Sequence, residues 1–396
     1  MVLWVTQFPL LHGCVGVFRS LGRAGVPVHA VVADRRAPAA LSRYVAGHVL
    51  WRPHHGDGPN ELIDRLTSFG RRMGRRSLII CTADDMAVLV AQHRSALEEY
   101  FVLPTISADL PAQLADKRIL YGLCRRHGVG APRSEFVDSM SQLEAIIDEL
   151  ELPVVVKSTA LRGQAVPQSV AFSTVVRSRT ALRDLARRWA EPFRTLIQEY
   201  IPDEVSEDWI AHGYCDADSK ARIVFTGKKV RSWPPRGGAT AAGYVAANAE
   251  LAARTASFCA QIGYRGVFDL DWRRDLRNGQ YNLLDFNPRI GAQFRMFEDD
   301  AGIDVVRAMH LDMSGRAIPP GSPVEGERFI VEPWDLASRL ADRHGPKRPM
   351  GGSGRPRLAW LAGDDPLPVL AMILRQGALS TAARIPRTAK RATPPP

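Results

Sequence analysis

Three polar side chains stand close together in two short apolar segments and have the chemistry to bind a metal ion. Asp271 lies in the first segment, residues 266–272, and Asp285 and Asn287 lie in the second, residues 281–287. Alternate side chains of a β-strand share one face, so Asp285 and Asn287 point to the same side. Hard oxygen ligands of this kind, usually shared with substrate phosphates, suit Mg²⁺. These residues are therefore candidate magnesium ligands, and the competing interpretation is a solvated acidic strand face.

The turn between the two segments decides whether the carboxylates meet. Asn278-Gly279 is a typical hairpin turn, so the two segments are predicted to pair as antiparallel strands. A strict two-residue turn would place Asp271 opposite Phe286. Pairing of Asp271 with Asp285 therefore requires an odd-length loop or a one-residue bulge, which the turn glycine could accommodate.

Lysine is scarce in this chain, and one lysine closes an apolar strand. Arginine and lysine together number 52, but lysine occupies only positions 117, 157, 220, 228, 229, 347 and 390. Because arginine can replace lysine on most solvated surfaces, the lysine that ends the apolar segment 153–157 suggests a compact ammonium with a specific task. The alternative for Lys157 is an ammonium that reaches from the strand end into water.

A second basic segment is a candidate for holding an anionic substrate. Residues 227–231 include Lys229 and Arg231, and a flexible glycine pair follows at positions 237 and 238. Strand alternation predicts that Lys229 and Arg231 share one face. Arginine suits bidentate recognition of a carboxylate or a phosphate. An ordinary basic strand followed by a turn is the alternative.

The elements that must position these residues begin with a predicted parallel sheet. Residues 1–108 alternate strand and helix patterns and are expected to form a Rossmann-like domain. A turn is predicted at Gly13-x-x-Gly16, but the glycine fingerprint of dinucleotide-binding proteins is incomplete. Asp84 follows a strand of this sheet, where open α/β domains usually bind ligands; we favour the simpler role of a helix N-cap.

The remainder of the chain has a different pattern, so the fold class is α/β followed by α+β. Residues 109–315 combine a helix over 110–127 with short, largely antiparallel strands. Residues 316–396 form a C-terminal extension that ends in a basic tail, which is predicted to be disordered. The sequence does not decide the role of this extension.

Composition excludes several classes of protein. The chain is 45% hydrophobic and 24% charged, without a run of about 18 to 20 uncharged apolar residues, which argues against a fibrous, disordered or membrane-spanning protein. Five scattered cysteines favour a reducing, cytoplasmic setting. The net charge of +10 comes mostly from dispersed arginine, so composition bias is favoured over nucleic-acid binding.

A set of polar residues follows a recognisable order along the chain. They are Lys117, Lys157, Gln198, Glu199, Tyr200, Ile201, Glu207, Asp271, Asp285, Asn287 and Arg289. This order resembles the ATP-grasp superfamily, and residues 17–25 and 41–44 are similar to its carboxylate-amine ligase branch. The resemblance covers about residues 1–315. It implies a Rossmann-like pre-ATP-grasp domain at 1–108 and an ATP-grasp domain at 109–315.

The resemblance also implies roles for these residues. Lys117 and Lys157 would contact the phosphates of ATP. Glu199 and the backbone near Ile201 would contact the adenine, and Gln198 and Tyr200 belong to the same segment. Glu207 would contact the ribose. Asp271, Asp285 and Asn287 would hold two Mg²⁺ ions. Arg289 would face the transferred phosphoryl group, with Lys229 and Arg231 beside the substrate.

The implied reaction is amide formation driven by ATP. A substrate carboxylate would attack the γ-phosphate, and an amine, such as an amino acid or peptide, would then displace phosphate. The sequence departs from the family in a glycine-poor loop at 161–169 and in Asp271 and Asp285, where glutamate is commoner. Two alternatives stay open, an enzyme with another acceptor and a nucleotide-binding protein without catalysis. The identity of both substrates and the oligomeric state are also open.

Overall fold

The structure, a computed structural model, describes residues 2–5, 12–52, 56–158, 174–189, 194–235, 237–342 and 349–384 of the 396-residue chain. The helices within these residues are α1 (His12–Arg23), α2 (Pro59–Met73), α3 (Asp84–Gln92), α4 (Arg94–Leu97), α5 (Leu110–Ala115), α6 (Lys117–Arg126), α7 (Met140–Ile146), α8 (Arg179–Ala186), α9 (Ala249–Gln261), α10 (Val305–Met313), α11 (Glu332–Ala341) and α12 (Leu367–Arg384). None of these described helices has the length and apolar character needed to cross a membrane.

The first sheet is parallel throughout, as predicted for the N-terminal part of the chain. Its strands are β1 (Val2–Val5), β2 (Val28–Val32), β3 (Val45–Leu50), β4 (Ser77–Cys81) and β5 (Phe101–Val102), in the spatial order β3-β2-β1-β4-β5. The strand order reverses between β1 and β4, and the carboxyl ends of strands at such a point form the usual ligand crevice of open α/β sheets. Asp84 begins α3 just after β4 and therefore lies at this crevice.

The two glycines predicted to form a turn after β1 lie inside helix α1 instead. A Cβ atom at Gly13 would be 2.7 Å from the Cα atom of Ala292, and one at Gly16 would be 2.8 Å from Cδ of Arg295. A side chain at either position would therefore clash with the segment against which α1 packs. The predicted turn is wrong because these glycines serve the close approach of a helix, although glycine weakens the helix itself.

The second sheet is small and antiparallel, and it carries Lys157. Its strands are β6 (Ser134–Val137), β7 (Val154–Ser158), β8 (Thr174–Val176) and β9 (Thr195–Glu199), in the order β6-β9-β7-β8. Val156 packs into a core with Leu143 of α7 and Leu182 of α8. Because adjacent residues of a strand point to opposite faces, Lys157 points away from this core.

The third sheet carries the candidate metal ligands. Its strands are β10 (Ser206–Cys215), β11 (Ala221–Trp233), β12 (Ala239–Val245), β13 (Gly266–Asp275), β14 (Tyr281–Asn287), β15 (Arg328–Ile330) and β16 (Arg357–Leu358), in the order β14-β13-β10-β11-β12-β15-β16. Leu270, Trp272 and Phe286 are buried in one core with residues of α6 and α9. Asp269 and Asp271 alternate with these apolar residues and lie on the other face. The predicted hairpin of β13 and β14 is confirmed.

The residues after position 316 extend the third sheet and contact the first part of the chain. β15 pairs with β12, and β16 pairs with β15, so the boundary predicted at residue 316 falls between strands of one sheet. Arg19 of α1 is buried. Its Nε lies 2.9 Å from Asp365 Oδ2, and its Nη2 donates to the carbonyl of Trp360 at 2.8 Å. The predicted disordered tail lies, from residue 385 onward, outside the described residues, and the division into domains stays a prediction.

Candidate active site

Asp271 and Asp285 lie directly opposite each other in the hairpin of β13 and β14. The register pairs Asp271 with Asp285 but Trp272 with Leu283, so Leu284 is an extra residue on β14. This is a one-residue bulge, one of the two arrangements that allow the carboxylates to pair. The bulge lies beside the carboxylates and not at the turn glycine, where the sequence analysis had placed it.

The bulged residue supplies a carbonyl that two side chains of α6 use. Lys117 Nζ donates to the Leu284 carbonyl at 3.0 Å, and the hydroxyl of Tyr121 donates to it at 3.2 Å. Lys117 Nζ also forms an ion pair with Asp285. The bulge therefore both aligns the carboxylates and anchors the lysine beside them.

Lys117 reaches this position because the helix predicted over 110–127 is broken into α5 and α6. The carboxylate of Asp116 accepts the backbone N–H groups of Arg118 at 2.8 Å and of Ile119 at 3.2 Å. Asp116 is thus an N-cap, which satisfies backbone donors that have no partner within the helix. The cap starts α6 at Lys117, next to the edge strand β14.

A hydrogen-bond chain links Lys157 to Lys117. Lys157 Nζ donates to Gln198 Oε1 at 3.1 Å, and Gln198 Nε2 donates to the Tyr121 hydroxyl at 2.9 Å. Tyr121 donates in turn to the Leu284 carbonyl, the acceptor that it shares with Lys117. Gln198 is only 3% exposed, so it faces inward between the lysines. The two lysines predicted at the phosphates are therefore brought to one site from the second sheet and from α6.

Burial moves two ionisable groups of this site toward neutral pH. It raises the pKa of Asp271 to about 6, and the neighbouring carboxylates of Asp269 and Asp285 reinforce the shift. It also lowers the pKa of Lys157 to about 8, with a further contribution from the Lys117 ammonium. Perturbed groups that cluster in this way are typical of functional sites.

Arg289 follows β14 and is held between carboxylates from two parts of the chain. Its Nη1 lies 3.1 Å from Asp269 Oδ2, and its Nε lies 3.1 Å from Asp84 Oδ1. The N-cap role predicted for Asp84 is wrong, because Ala83 occupies the cap position of α3. The Asp84 carboxylate instead contacts Arg289 across the crevice beside β4.

Asp269 is a residue of this site that the sequence analysis did not single out. Its buried carboxylate lies 2.5 Å from His212 Nε2 and accepts a hydrogen bond from Asn287 Nδ2 at 3.3 Å. Burial alone would raise the pKa of Asp269, but His212 and Arg289 outweigh burial and lower it. Strand alternation could have identified Asp269 from the sequence, since it stands two residues before Asp271 and must share its face.

The predicted common face of Lys229 and Arg231 is wrong because β11 contains a bulge between them. Lys229 pairs with Gly243 and Arg231 pairs with the adjacent Ala242, so Val230 is an extra residue. Adjacent residues of a partner strand point to opposite faces, and the bulge therefore turns Arg231 away from the face of Lys229.

The two basic side chains accordingly have different surroundings. Lys229 acts on the Asp271 carboxylate, where its charge opposes the rise in pKa that burial causes, and it donates to the Gly238 carbonyl at 2.7 Å. Arg231 forms an ion pair with Asp335 of α11. Lys229 is thus part of the carboxylate site, and Arg231 faces the C-terminal segment.

Glu207, predicted to contact a ribose, lies on the other face of β10. Ile210 pairs with Asp271, so alternation places Glu207 and Trp209 on the face opposite the carboxylates. Glu207 Oε1 lies 2.5 Å from Lys228 Nζ, and Trp209 Nε1 donates to Glu207 Oε2 at 3.0 Å. This placement does not favour a contact between Glu207 and a nucleotide bound at Asp271.

The segment predicted at the adenine ends β9 and is tied to the third sheet. Glu199 and Tyr200 are half-buried, and Ile201 is buried. The Ile201 carbonyl accepts Arg273 Nη1 at 2.9 Å, and Arg273 Nε also lies 2.8 Å from Asp208 Oδ1. Arg273 thereby fixes the end of β9 against β10 and β13.

Asp271, Asp285 and Asn287 fit a magnesium site that substrate phosphates would complete. The carboxylates oppose each other, and Asn287 Nδ2 donates to the Asp269 carbonyl at 3.1 Å, which orients its amide. In the part of the chain that the structure describes, no three or more His, Cys, Asp or Glu residues are grouped as a metal site. Two carboxylates are sufficient for Mg²⁺, which fills its coordination with waters and phosphate oxygens. The glycine-poor loop at 161–169 lies outside the described residues.

The arrangement of the three sheets is that of the ATP-grasp fold, as comparison with solved structures shows. The structure superposes on N5-carboxyaminoimidazole synthetase from Staphylococcus aureus complexed with ADP with a TM-score of 0.63, covering 96% of each chain at 12% identity. For an L-amino acid ligase from Bacillus licheniformis the TM-score is 0.61, with 82% of this chain and 74% of that chain covered at 14% identity.

The sequence has a more specific relative. It is 26% identical over 293 residues to D-aspartate ligase from Enterococcus faecium (strain Aus0004), and the match covers 70% of this chain and 68% of the relative. No protein-family model matches the chain. The chain is thus a homologue of D-aspartate ligase with an ATP-grasp fold, which confirms the resemblance identified from the sequence.

Proposed function

We propose that this chain is an ATP-dependent carboxylate-amine ligase that forms an amide or peptide bond and releases ADP and phosphate. The observation that carries the proposal is the meeting of Lys117 and Lys157 with the opposed carboxylates of Asp271 and Asp285, beside Arg289. Phosphoryl transfer depends on positioning and charge neutralisation and needs no protein nucleophile. The homology to D-aspartate ligase supports the same class of reaction.

ATP would bind between the second and third sheets, with its phosphates at the two lysines. Lys117 would exchange the Asp285 carboxylate for phosphate oxygens, and the half-buried Lys157 would gain an anionic partner. Asp271, Asp285 and Asn287 would then hold Mg²⁺, which we propose as two ions. Bound Mg²⁺ supplies neutralisation of the phosphate charge. Breaking of the ion pair between Lys117 and Asp285 is thus the main rearrangement expected on nucleotide binding.

The end of β9 is the proposed adenine site. Glu199 and the backbone near Ile201 would contact the base, and Gln198 and Tyr200 belong to the same segment. The hydrogen bond of Gln198 to Lys157 supports this arrangement, because it places the end of β9 next to a phosphate-binding lysine. The ribose contact of Glu207 is the part of the nucleotide site with the least support.

The proposed reaction has two steps. A carboxylate oxygen of the first substrate attacks the γ-phosphorus, the bond to the β,γ-bridging oxygen breaks, and ADP leaves. The nitrogen of the amine then attacks the acyl carbon, loses a proton, and displaces inorganic phosphate. Arg289 and Lys229 would stabilise negative charge on the transferred group. Arg231 is ion-paired with Asp335 of α11, so it could contact the substrate only after α11 moves away. The substrates are proposed to be a small carboxylic acid and an amino acid or peptide amine.

Replacement of Lys157 or Asp285 by alanine tests the proposal, because each removes one half of the phosphate and metal site. ADP formation should be abolished in both variants. Lys220→Ala, which changes an exposed lysine in the turn between β10 and β11, is the matched control and should keep wild-type turnover. Undiminished turnover in both site variants would contradict the mechanism.

Two other functions predict different products. An ATP-grasp enzyme with a thiol or hydroxyl acceptor would release ADP but form no amide, which mass spectrometry of the product distinguishes. A nucleotide-binding protein without catalysis would bind ATP and release no phosphate with any pair of substrates. We propose a cytoplasmic setting without a membrane or nucleic-acid partner, for which the scatter of the five free cysteines is the support.

A further inference from the structure

An apolar pocket lies where the first sheet and α3 meet the start of β13. Ala87, Val90 and Ala91 of α3 line one side, and Val267 of β13 and Met309 of α10 line the other. Its volume, with its open mouth included, is about 620 Å³. Pockets that are mostly apolar and lie at the junction of two structural units are typical binding sites for small molecules.

The charged side chains that line this pocket are cationic. Arg94, Arg265 and Arg289 contribute to its lining, and none of the described lining residues is acidic. Arg94 Nη1 donates to the Pro104 carbonyl at 2.6 Å, and Arg265 Nη1 donates to the Thr105 carbonyl at 2.6 Å. These bonds fix two guanidinium groups at the pocket wall.

Two of these cations have a buried donor without a hydrogen bond within the described part of the chain. Arg289 Nε lies 3.1 Å from Asp84 Oδ1 but does not hydrogen-bond to it, and Arg265 is the second. Arg265 Nε is buried and has no hydrogen-bond partner among the described residues. A buried donor without a partner is costly, and an anionic ligand that accepts from it would remove that cost. Apolar walls together with buried guanidinium donors favour a ligand with a hydrophobic body and a carboxylate.

Arg289 joins this pocket to the candidate active site. Its Nη1 and Nε contact Asp269 and Asp84, and the same side chain lines the pocket. A ligand in the pocket therefore lies next to the arginine that we place at the transferred phosphoryl group. The pocket is thus positioned to select the substrate whose carboxylate is activated.

We propose that this pocket binds the hydrophobic part of the acid substrate, so that the enzyme prefers carboxylic acids with a branched aliphatic or aromatic group over dicarboxylic acids such as aspartate. This inference rests on the proposed ligase function for its place in catalysis. The binding of the acid itself does not depend on turnover and can be tested separately.

The test uses 4-methylpentanoic acid and succinic acid as probes, titrated by calorimetry into the full chain without ATP. Ala91→Leu places three more carbons in the pocket. If the Ala91→Leu variant does not fold, Ala87→Leu, one turn away on α3, is used in its place. Ala253→Leu, on the exposed side of α9, is the matched control. The wild type and Ala253→Leu should bind 4-methylpentanoic acid about tenfold more tightly than the pocket variant, because filling the pocket excludes the hydrophobic group.

Equal binding by wild type and pocket variant, tighter binding of succinic acid, or no binding of either acid at millimolar concentration would overturn the pocket proposal. ADP release with the same acids and an amine, measured in parallel, separates this from the proposed function. Binding with the expected pattern but without ADP release in any mixture would contradict the ligase function and leave the pocket standing. ADP release that is unaffected by Ala91→Leu would contradict the pocket proposal and leave the ligase function standing.

Discussion

Asp84 Oδ1 lies 3.1 Å from Arg289 Nε, which joins the crevice of the first sheet to the end of β14 in the third sheet. Asp269 holds the same guanidinium from the other side, with its Oδ2 atom 3.1 Å from Nη1. A hydrogen bond to Asp269 at Nη1 and an ion pair with Asp84 at Nε together restrain the position of this guanidinium. The orientation of Arg289 is therefore set jointly by the first and third sheets.

Replacement of Asp84 by asparagine is predicted to lower kcat about 10- to 100-fold, because a misplaced Arg289 would no longer face the position that we propose for the transferred phosphoryl group. The KM for ATP should change little, since Asp84 begins α3 beside the first sheet, away from the two lysines that we propose bind the nucleotide. Steady-state ADP release gives both parameters. Asp85→Asn, one position further along α3, is the matched control. A D84N enzyme with wild-type kcat would show that Arg289 does not need this partner.

Replacement of Asp271 by asparagine is predicted to raise the Mg²⁺ concentration required for half-maximal ADP release by about 10- to 100-fold, because one of the two opposed carboxylates is lost. The control is Asp218→Asn, an exposed aspartate in the turn between β10 and β11. A magnesium titration at saturating ATP measures the effect. An unchanged requirement in D271N would remove Asp271 from the metal site.

ATP affinity is predicted to fall above pH 8 through Lys157. Burial lowers the pKa of this lysine from 10.5 to about 8, so the free protein holds the charged form below pH 8 and loses it as the pH rises further. The dissociation constant for ATP, measured without Mg²⁺, should increase by up to about tenfold between pH 8 and pH 9.

Lys157→Arg is the control for this pH dependence, since a guanidinium stays charged throughout that range. The profile of K157R should therefore be flat between pH 8 and pH 9. Parallel profiles for the two proteins would assign the pH dependence to another group.

Gly291 is predicted to tolerate no side chain, because it packs against the buried Asp269 carboxylate. A Cβ atom at this position would be 2.5 Å from Asp269 Cγ and would also contact His212 Cε1. Gly291→Ala should lower stability by about 1 to 3 kcal/mol, seen as a lower urea midpoint. Gly122→Ala in α6, where no atom lies within 4 Å of the added Cβ, should be neutral or stabilising. A wild-type midpoint for G291A would mean that the carboxylate cluster is loosely packed.

Local features of the site were readable from the sequence. Strand alternation and the turn at Asn278-Gly279 predicted the hairpin. Counting residues across that turn showed that Asp271 could meet Asp285 only through an odd-length loop or a bulge, and the structure has the bulge. The order of the lysines and carboxylates along the chain predicted the class of fold. The hairpin was predictable because it depends on residues that are neighbours in the chain, and the class of fold was predictable because the order of the motifs is itself a property of the sequence.

The remaining features depend on how distant segments pack. The partner of Arg289 was missed because Asp84 begins α3, about 200 residues earlier in the chain, and a helix N-cap explains its position equally well from the sequence alone. The glycines of α1 suggested a turn because the segment that excludes their side chains lies nearly 280 residues further along the chain. The bulge at Val230 could not be predicted, since strand alternation assumes an uninterrupted pairing of β11 with β12. Each failure is a long-range contact that overrides a local pattern.

The most direct test of the account is to incubate the purified chain with ATP, Mg²⁺ and pools of carboxylic acids and amines, and to measure ADP, phosphate and product mass together. The account predicts ADP and phosphate release in equal amounts, dependent on both an acid and an amine, with a product whose mass is their sum minus water. Tight ATP binding without phosphate release in any pool, or ADP release without such a product, would contradict it.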